Sequence, residues 1–363
     1  MTVLYFSKTS EIGPSSRYRI FQYLPWFKAS GIRVSVEPLF HSAYFHILRC
    51  RHGWLRIIAT AAYSGWRFMV RGLSIVSNLK ADLIVVEGPL FPYAGIMVER
   101  WLAKRTPLIV ELDDAIYLTP GQEKVIPALL KLSSGAIMGN ETLAAYARAF
   151  TRSVHVIPTV VDTTRFSPLE KGAVPTERTD SNVLRIIWMG LDYNLPHLAR
   201  LIPVFKRLQA EHNVLLRVVC GTEPQLDGVK LEWFQWDYKT EVDLLRSSDI
   251  GIMPLQDTEW TKGKCGLKLI QYMSVGLPAV ASPIGVNCKI LRDGVNGFLV
   301  STEDDWYAIL ASLCRHADVR ERVGREARRT VIDEYSLEVW GPRLVACYRE
   351  LSAPPTSLAM PPA

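Results

Sequence analysis

Two α/β domains in tandem, each built on a parallel sheet, are the fold class that this 363-residue sequence predicts. Short runs that are apolar at every position alternate with amphipathic stretches of helical period. That is the pattern of strands covered by helices on both faces. The alternation runs twice. A polar break at Ser167–Asn182, with two prolines, a glycine and no periodicity, separates the two passes. The length allows two domains of ordinary size, and 48% hydrophobic residues are enough for a core in each.

Val3–Phe6 is the first strand. A polar loop follows and ends in Gly13-Pro14-Ser15-Ser16, where Ser15 or Ser16 is the expected N-cap of a helix with Arg17 and Arg19 in its first turn. Strand, glycine-containing loop and helix N-terminus form the geometry that holds phosphates in nucleotide folds. Neither G-x-G-x-x-G nor G-x-x-x-x-G-K-(S/T) is present, so a dinucleotide fingerprint and a P-loop are excluded. Ile32–Val36 is the second strand. From Pro38 to Ala81 there is no Asp or Glu, while Arg49, Arg51, Arg56, Arg67, Arg71 and Lys80 alternate with Tyr44, Phe45, Trp54, Trp66 and Phe68. Such a stretch fits an anionic membrane surface. The alternative is a core helix with aromatics inward and arginines solvated.

Leu83–Val86 is a buried strand that feeds Glu87-Gly88-Pro89, and a helix is expected around Tyr93–Lys104. Leu108–Val110 ends in Glu111-Leu112-Asp113-Asp114. Carboxylates at the C-terminal end of a parallel strand sit where α/β folds place their chemistry. Asp113 is the candidate functional group and Asp114 the expected cap of the next helix. Ala136–Met138 is a strand leading to Asn140, the expected N-cap of a helix over 141–150, and Val154–Ile157 is a further strand.

After the break, Leu184–Met189 is a strand ending at Gly190, and a helix carrying Leu198, Leu201 and Phe205 follows. Val214–Cys220, Lys230–Trp236 and Ile250–Met253 are further strands, with a helix over Glu241–Arg246. The most informative stretch is Thr261–Asn287. Gly263 and Gly266 loosen the backbone before a helix whose Leu267, Ile270 and Met273 share one face. Gly276 sits where a left-handed residue should end that helix, and Pro278 cannot continue it. Lys262, Lys264 and Lys268 crowd the helix start, where unsatisfied N–H groups and the helix dipole attract anions. If the helix begins early enough, Lys264 and Lys268 are neighbours on its surface. Gln271, one turn further on, has the donors and acceptors that sugar hydroxyls require. A lysine-rich surface loop before an amphipathic helix is the other reading that the spacing leaves open. Arg325-Glu326-Ala327-Arg328 reads as a solvated helix face, Leu337–Leu351 as a last helix, and the Pro- and Ser-rich residues from Ala353 as a disordered tail.

The net charge of +6 names no partner by itself. No nucleic-acid-binding motif is present. Six scattered cysteines show no C-x-x-C spacing, so neither a zinc site nor a dithiol motif is expected, and a reducing cytoplasm fits them best. The chain opens without a charged lead-in and apolar signal segment, and no apolar run is long enough to cross a membrane.

Gln271-Tyr272-Met273 and Gly276-Leu277-Pro278-Ala279-Val280-Ala281 resemble the donor-site motif of family-4 glycosyltransferases. Asp113-Asp114-Ala115, the Ile157–Phe166 stretch and Asp293–Val300 resemble further segments of the same family. The usual motif has two glutamates eight positions apart. Here Gln271 takes the place of the second and Gly263 that of the first, a Lys-Leu-x-Gln-Tyr-Met variant. The resemblance implies the GT-B fold, two Rossmann-like domains facing each other across a cleft. It implies an acceptor domain over 1–166, a linker over 167–182 and a nucleotide-sugar donor domain over 183–336. A helix over 337–352 would cross back, and the tail is 353–363. The implied activity is retaining transfer of a sugar from a nucleoside-diphosphate donor to a glycan or lipid-linked glycan. No metal or cofactor is implied, because lysines and helix dipoles offset the diphosphate charge. Lys264 and Lys268 would hold the diphosphate and Gln271 the ribose. Asp257 or Glu259 would reach the donor sugar, and Gly190 would permit phosphate approach. Trp236 would face the base. By position Gly13 and Arg17 face the donor phosphate, and Asp113 and Arg17 line the acceptor side. The implied setting is cytoplasmic or peripheral at the inner membrane face. A nucleotide-sugar epimerase of the same fold, or a non-catalytic nucleotide-sugar-binding protein, are the alternatives.

Overall fold

A computed structural model describes residues 1–48, 53–78, 80–92, 94–169 and 182–352. Most of the polar break and the tail from Ala353 lie outside the described residues. The chain divides into two compact units, one of Met1–Pro158 with the chain from Trp340 onward and one of Thr159–Val339.

The first unit holds a six-stranded parallel sheet in the order β2-β1-β3-β4-β5-β6. Its strands are β1 (Thr2–Thr9), β2 (Arg33–Phe40), β3 (Leu83–Val86), β4 (Leu108–Leu112), β5 (Gly135–Met138) and β6 (Val154–Val156). Every residue of β3, β4 and β5 is buried, which is why these strands are apolar at nearly every position rather than alternating. The order reverses between β1 and β3. Such a switch point opens a crevice at the strand C-termini.

The second unit repeats the plan with the order β12-β11-β10-β7-β8-β9, again all parallel. Its strands are β7 (Leu184–Met189), β8 (Val214–Cys220), β9 (Leu231–Gln235), β10 (Ile250–Met253), β11 (Ala279–Ala281) and β12 (Phe298–Leu299). Trp188, Phe205, Leu208 and Leu310 are among the side chains that fill one side of this sheet. Arg217 of β8 is fully buried, its Nε 2.6 Å from Glu232 Oε1 on β9 and its Nη1 2.9 Å from Leu244 O. A charge can be buried at that depth only with such partners. The switch point lies between β7 and β10.

Several local expectations change once packing is seen. The first helix runs Pro14–Arg19 with Gly13, not a serine, at the N-cap position, because Ser16 turns inward and donates to Glu87 Oε2 at 2.8 Å. The short helix after Asp113-Asp114 is a 3₁₀ turn, Ile116–Leu118, whose cap position is Ala115 with no side-chain cap. Asn140 caps its helix as expected, accepting Leu143 N–H at 2.9 Å. The Arg325–Arg328 stretch is not all solvated. Ala327 is buried, and Arg328 donates to the carbonyls of Thr163 at 2.9 Å and Ser274 at 2.6 Å, and to that of Phe166. Within the basic-aromatic stretch, Arg67 donates to Pro38 O and Leu39 O, and buried Arg71 donates to Ser7 O, Glu37 O and Leu90 O. Arg67 and Arg71 therefore face inward, while Arg56, Trp54 and Trp66 are exposed and Phe68 packs edge-on to Phe91. The core-helix alternative, with aromatics inward and arginines solvated, holds for Phe68 and Arg56 but not for Arg67, Arg71 and the two tryptophans. Arg49 and Arg51 lie outside the described residues.

Candidate functional site

The site builds from the second unit's switch point. Gly190 follows β7, and Pro254–Asp257 follow β10. Beyond them Thr258 caps a four-residue helix, Glu259–Lys262, through a capping box with Thr261. Gly266, at φ +71°, then turns the chain into the helix Leu267–Ser274. Lys264 therefore lies on the approach to the helix rather than on it, and Lys268 is in its first turn.

Tyr272, one turn after Lys268, fixes this helix against β7. Its buried hydroxyl accepts Met189 N–H at 2.9 Å, and burial raises its pKa. Gly251 on β10 leaves room for that ring, since a Cβ there would stand 2.4 Å from Tyr272 Cγ. With the helix so registered, Lys268 lies along Gly190. A Cβ at Gly190 would come within 2.7 Å of Lys268 Cε and 2.9 Å of Trp188. Lys268 Nζ sits 5.8 Å from the Trp188 ring centroid, and Lys264 Nζ 5.6 Å from that of Tyr193. Lys264 is only 7% exposed.

His197, which no sequence pattern singled out, joins these cations to a cavity. Burial first, then Lys264, Lys268 and Arg200, push its imidazole below the usual range. Its Nδ1 is the acceptor for Gln256 N–H at 3.3 Å, which leaves the proton on Nε2. His197 lines a cavity of about 540 Å³ together with Arg200, Gln256, Asp257, Ser282 and Ile284. That volume suits a small polar ligand.

The other expected residues fall as follows. Asp257 and Glu259 both engage Lys262, whose Nζ is 3.4 Å from Asp257 Oδ1 and 2.9 Å from Glu259 Oε1. Gln271 is buried on the helix. Trp236, just past β9, donates from Nε1 to buried Glu241 at 2.9 Å, and Glu241 also takes Arg165 Nη2 at 2.8 Å. The loops after β7 and β8 are laced by Asp192, which accepts Gly221 N–H at 2.7 Å.

In the first unit, Gly13 packs so closely that a Cβ would stand 1.9 Å from Thr9 Oγ1. Arg17 donates to the carbonyls of Glu11 and Ile12, each at 2.7 Å, and so braces its own loop. Asp113 lies near a carboxylate pair, half-buried Glu87 and buried Glu111, whose pairing no sequence pattern showed. Tyr5 Oη is 3.0 Å from both Glu87 Oε1 and Glu111 Oε2. Arg19 Nε donates to Glu111 Oε1 at 2.7 Å, and Lys8 N–H and the Ser16 hydroxyl donate to Glu87 Oε2. A phenol has one proton to give, so two carboxylate contacts require one acid to be protonated. Burial, with Asp113 and Glu111 adding like charge, pushes Glu87 up to about 7. Burial raises Glu111 as well, against the lowering effect of Arg19. Among the described residues, no group of three His, Cys, Asp or Glu side chains is placed to hold a metal ion.

Residues 184–317 match the family model described as Glycosyl transferases group 1. The second unit carries a group 1 glycosyltransferase domain. Three solved structures share the fold of nearly the whole chain. A glycosyltransferase from Rickettsia africae ESF-5 superposes with a TM-score of 0.71 at 13% identity, covering 96% of this chain and 98% of its own. Anabaena Alr3699/HepE, solved in complex with UDP-glucose, gives 0.71 at 14% identity, covering 96% of this chain and 100% of its own. WaaG, a glycosyltransferase involved in lipopolysaccharide biosynthesis, gives 0.64 at 14% identity over 96% and 99%. The fold is that of GT-B glycosyltransferases, two Rossmann-like units on parallel sheets. No curated protein sequence matches the chain.

Proposed function

We propose that the chain is a retaining glycosyltransferase that moves a sugar from a nucleoside-diphosphate donor to a glycan or lipid-linked glycan. The observation that carries this reading is the convergence of Lys264 and Lys268 on the crevice between β7 and β10, beside the glycine that makes room for Lys268. Two cations at a helix start offset a diphosphate's charge as it develops on the leaving group. The bond from the anomeric carbon to the diphosphate oxygen breaks. The acceptor oxygen takes that place on the same face, and its proton leaves with the diphosphate. In this reading Gln271 serves the ribose and Trp236 the base, while Asp257 or Glu259 holds the donor sugar. On the first unit, Gly13 and Arg17 are assigned to the donor phosphate and Asp113 to the acceptor. The Anabaena protein was solved with UDP-glucose, so UDP is the first ligand to try.

A thermal-shift panel of nucleoside diphosphates, with and without EDTA, tests the proposal. A ligand at a hundred times its dissociation constant adds about 2.7 kcal/mol of stability. One diphosphate should stabilise the wild type, EDTA should change nothing, and Lys268→Ala should abolish the shift. No shift with any diphosphate, or a shift that survives loss of both lysines, overturns the donor site.

A further inference from the structure

An ordinary surface helix buries its apolar stripe and presents charge to water. The 25-residue helix Gly53–Ser77 instead buries a mixed face and exposes an apolar one. On its inward side Tyr63 Oη accepts His41 N–H, and Arg67 and Arg71 bind the backbone carbonyls already described, beside buried Ile75 and Phe68, which meets Phe91 edge-on. Its outward side carries Leu55, Ile58, Trp66, Met69, Leu73 and Val76, all exposed, with Leu73 at 64% and Val76 at 67%. With exposed Ala62 between them, these positions step by three and four, so they form one stripe. It is about 30 Å long at 1.5 Å per residue. Burial elsewhere in the unit does not use this stripe, and a contiguous exposed apolar surface of that size marks an interaction site.

The charge around it identifies the partner. No Asp or Glu occurs from Pro38 to Ala81, and Arg56 and Lys80 are exposed near the two ends. A second patch repeats the chemistry on the helix Met97–Ala103, where Met97 is 83% exposed and Trp101 lies one turn on. Arg100, Lys104 and Arg105 are exposed beside it, and Arg105 stacks 4.0 Å from the Trp101 ring centroid. Its one acid, Glu99, is buried and accepts Leu90 N–H, while Arg71 of the long helix donates to Leu90 O. The two helices thus grip one residue from either side. The exposed charges on the two helices, Arg56 and Arg100, are both cationic, so pairing this surface with a second copy of itself would bring like charges together. Among the described residues no helix is long and apolar enough to cross a membrane. Apolar stripe, tryptophans and cations together are what an anionic bilayer surface binds.

We propose that the outward stripe of Gly53–Ser77, flanked by the Met97–Arg105 patch, docks the chain on an anionic lipid surface. The docking does not depend on the donor chemistry, so either proposal can fail without the other. Co-sedimentation of the full chain with vesicles of phosphatidylcholine alone, and of phosphatidylcholine mixed with phosphatidylglycerol, tests it. Wild-type protein should pellet with the anionic vesicles and stay in the supernatant with the neutral ones. The double variant Leu73→Glu, Val76→Glu should lose about tenfold or more in vesicle affinity, with unchanged circular dichroism and unchanged diphosphate shift. Arg100→Ala with Arg105→Ala should weaken binding to anionic vesicles and keep the fold. Equal pelleting with neutral vesicles, binding indifferent to both double variants, or a dimer in solution that the glutamates dissociate would each overturn the assignment.

Discussion

Replacing Glu87 by glutamine isolates the proton that the first unit shares among Tyr5, Glu87 and Glu111. The amide copies the neutral acid. Its oxygen can accept from Lys8 N–H and the Ser16 hydroxyl, and its NH₂ can donate to Tyr5 Oη. Glu87 sits at about 7 in the folded chain against an ordinary 4.5. A carboxyl whose folded pKa is raised favours folding when protonated. Its contribution is full below pH 4.5 and is lost as pH rises through 7. At 1.36 kcal/mol per unit, the separation amounts to about 3 kcal/mol, an upper bound for a partly exposed group. Wild type and Glu87→Gln should therefore match below pH 4.5 and diverge from there up to about pH 7, with the variant the more stable by up to ~3 kcal/mol at pH 9. Calorimetric scans of the full chain at successive pH values read this as a widening gap in Tm of several degrees. Parallel curves, or a variant less stable at every pH, would mean that Glu87 is ionised when folded, and the shared-proton argument would fall.

Three further outcomes follow from the second unit. Gly190→Ala should push Lys268 aside, because its Cβ would sit 2.7 Å from Cε. Calorimetric titration should then show diphosphate affinity down by about tenfold, the loss of one charge-assisted hydrogen bond, and unchanged affinity would separate Lys268 from the ligand. Tyr272→Phe leaves the buried Met189 N–H without its acceptor and should cost about 1–3 kcal/mol in urea unfolding; wild-type stability would show that the hydroxyl does not register the helix. Gly324→Ala would place a Cβ 2.1 Å from the rigid Gly276 carbonyl and should destabilise by about 1–3 kcal/mol. A neutral result there would mean that the helix Ala317–Glu334, which carries Gly324, can part from the end of Leu267–Ser274 without cost.

The strands were legible because parallel strands buried on both faces are apolar at consecutive positions, as in Leu83–Val86 and Ile250–Met253. Turn chemistry was legible too. Gly276 adopts φ +80° where its position after a helix required it. What the sequence hid were partners far apart in the chain. Arg19 and Glu111 are 92 residues apart, and Tyr5 and Glu87 are 82 apart, so no local pattern joins them. His197 gave no signal either, since an imidazole next to a proline in a helix start looks like any other surface residue. The basic-aromatic stretch misled in a specific way. Periodicity tells which residues share a face, as it does for Leu55 to Val76, but not which face meets the core, and here Arg67 and Arg71 lie on the inward side.

Arg328 bears on how the protein can be divided. Of the three carbonyls it holds, those of Thr163 and Phe166 precede the polar break, and the Val161–Ser336 bridge and the Arg165–Glu241 pair tie the same segment to the same unit. The segment from Thr159 is thus structurally part of what comes after the break, although composition puts it before. A fragment cut at the polar break would strip the second unit of its own strap and leave the other piece with a dangling, partly apolar end. Excision of the second unit, or its exchange between relatives, should therefore cut between Pro158 and Thr159 and again between Val339 and Trp340, since the chain from Trp340 onward belongs to the first unit.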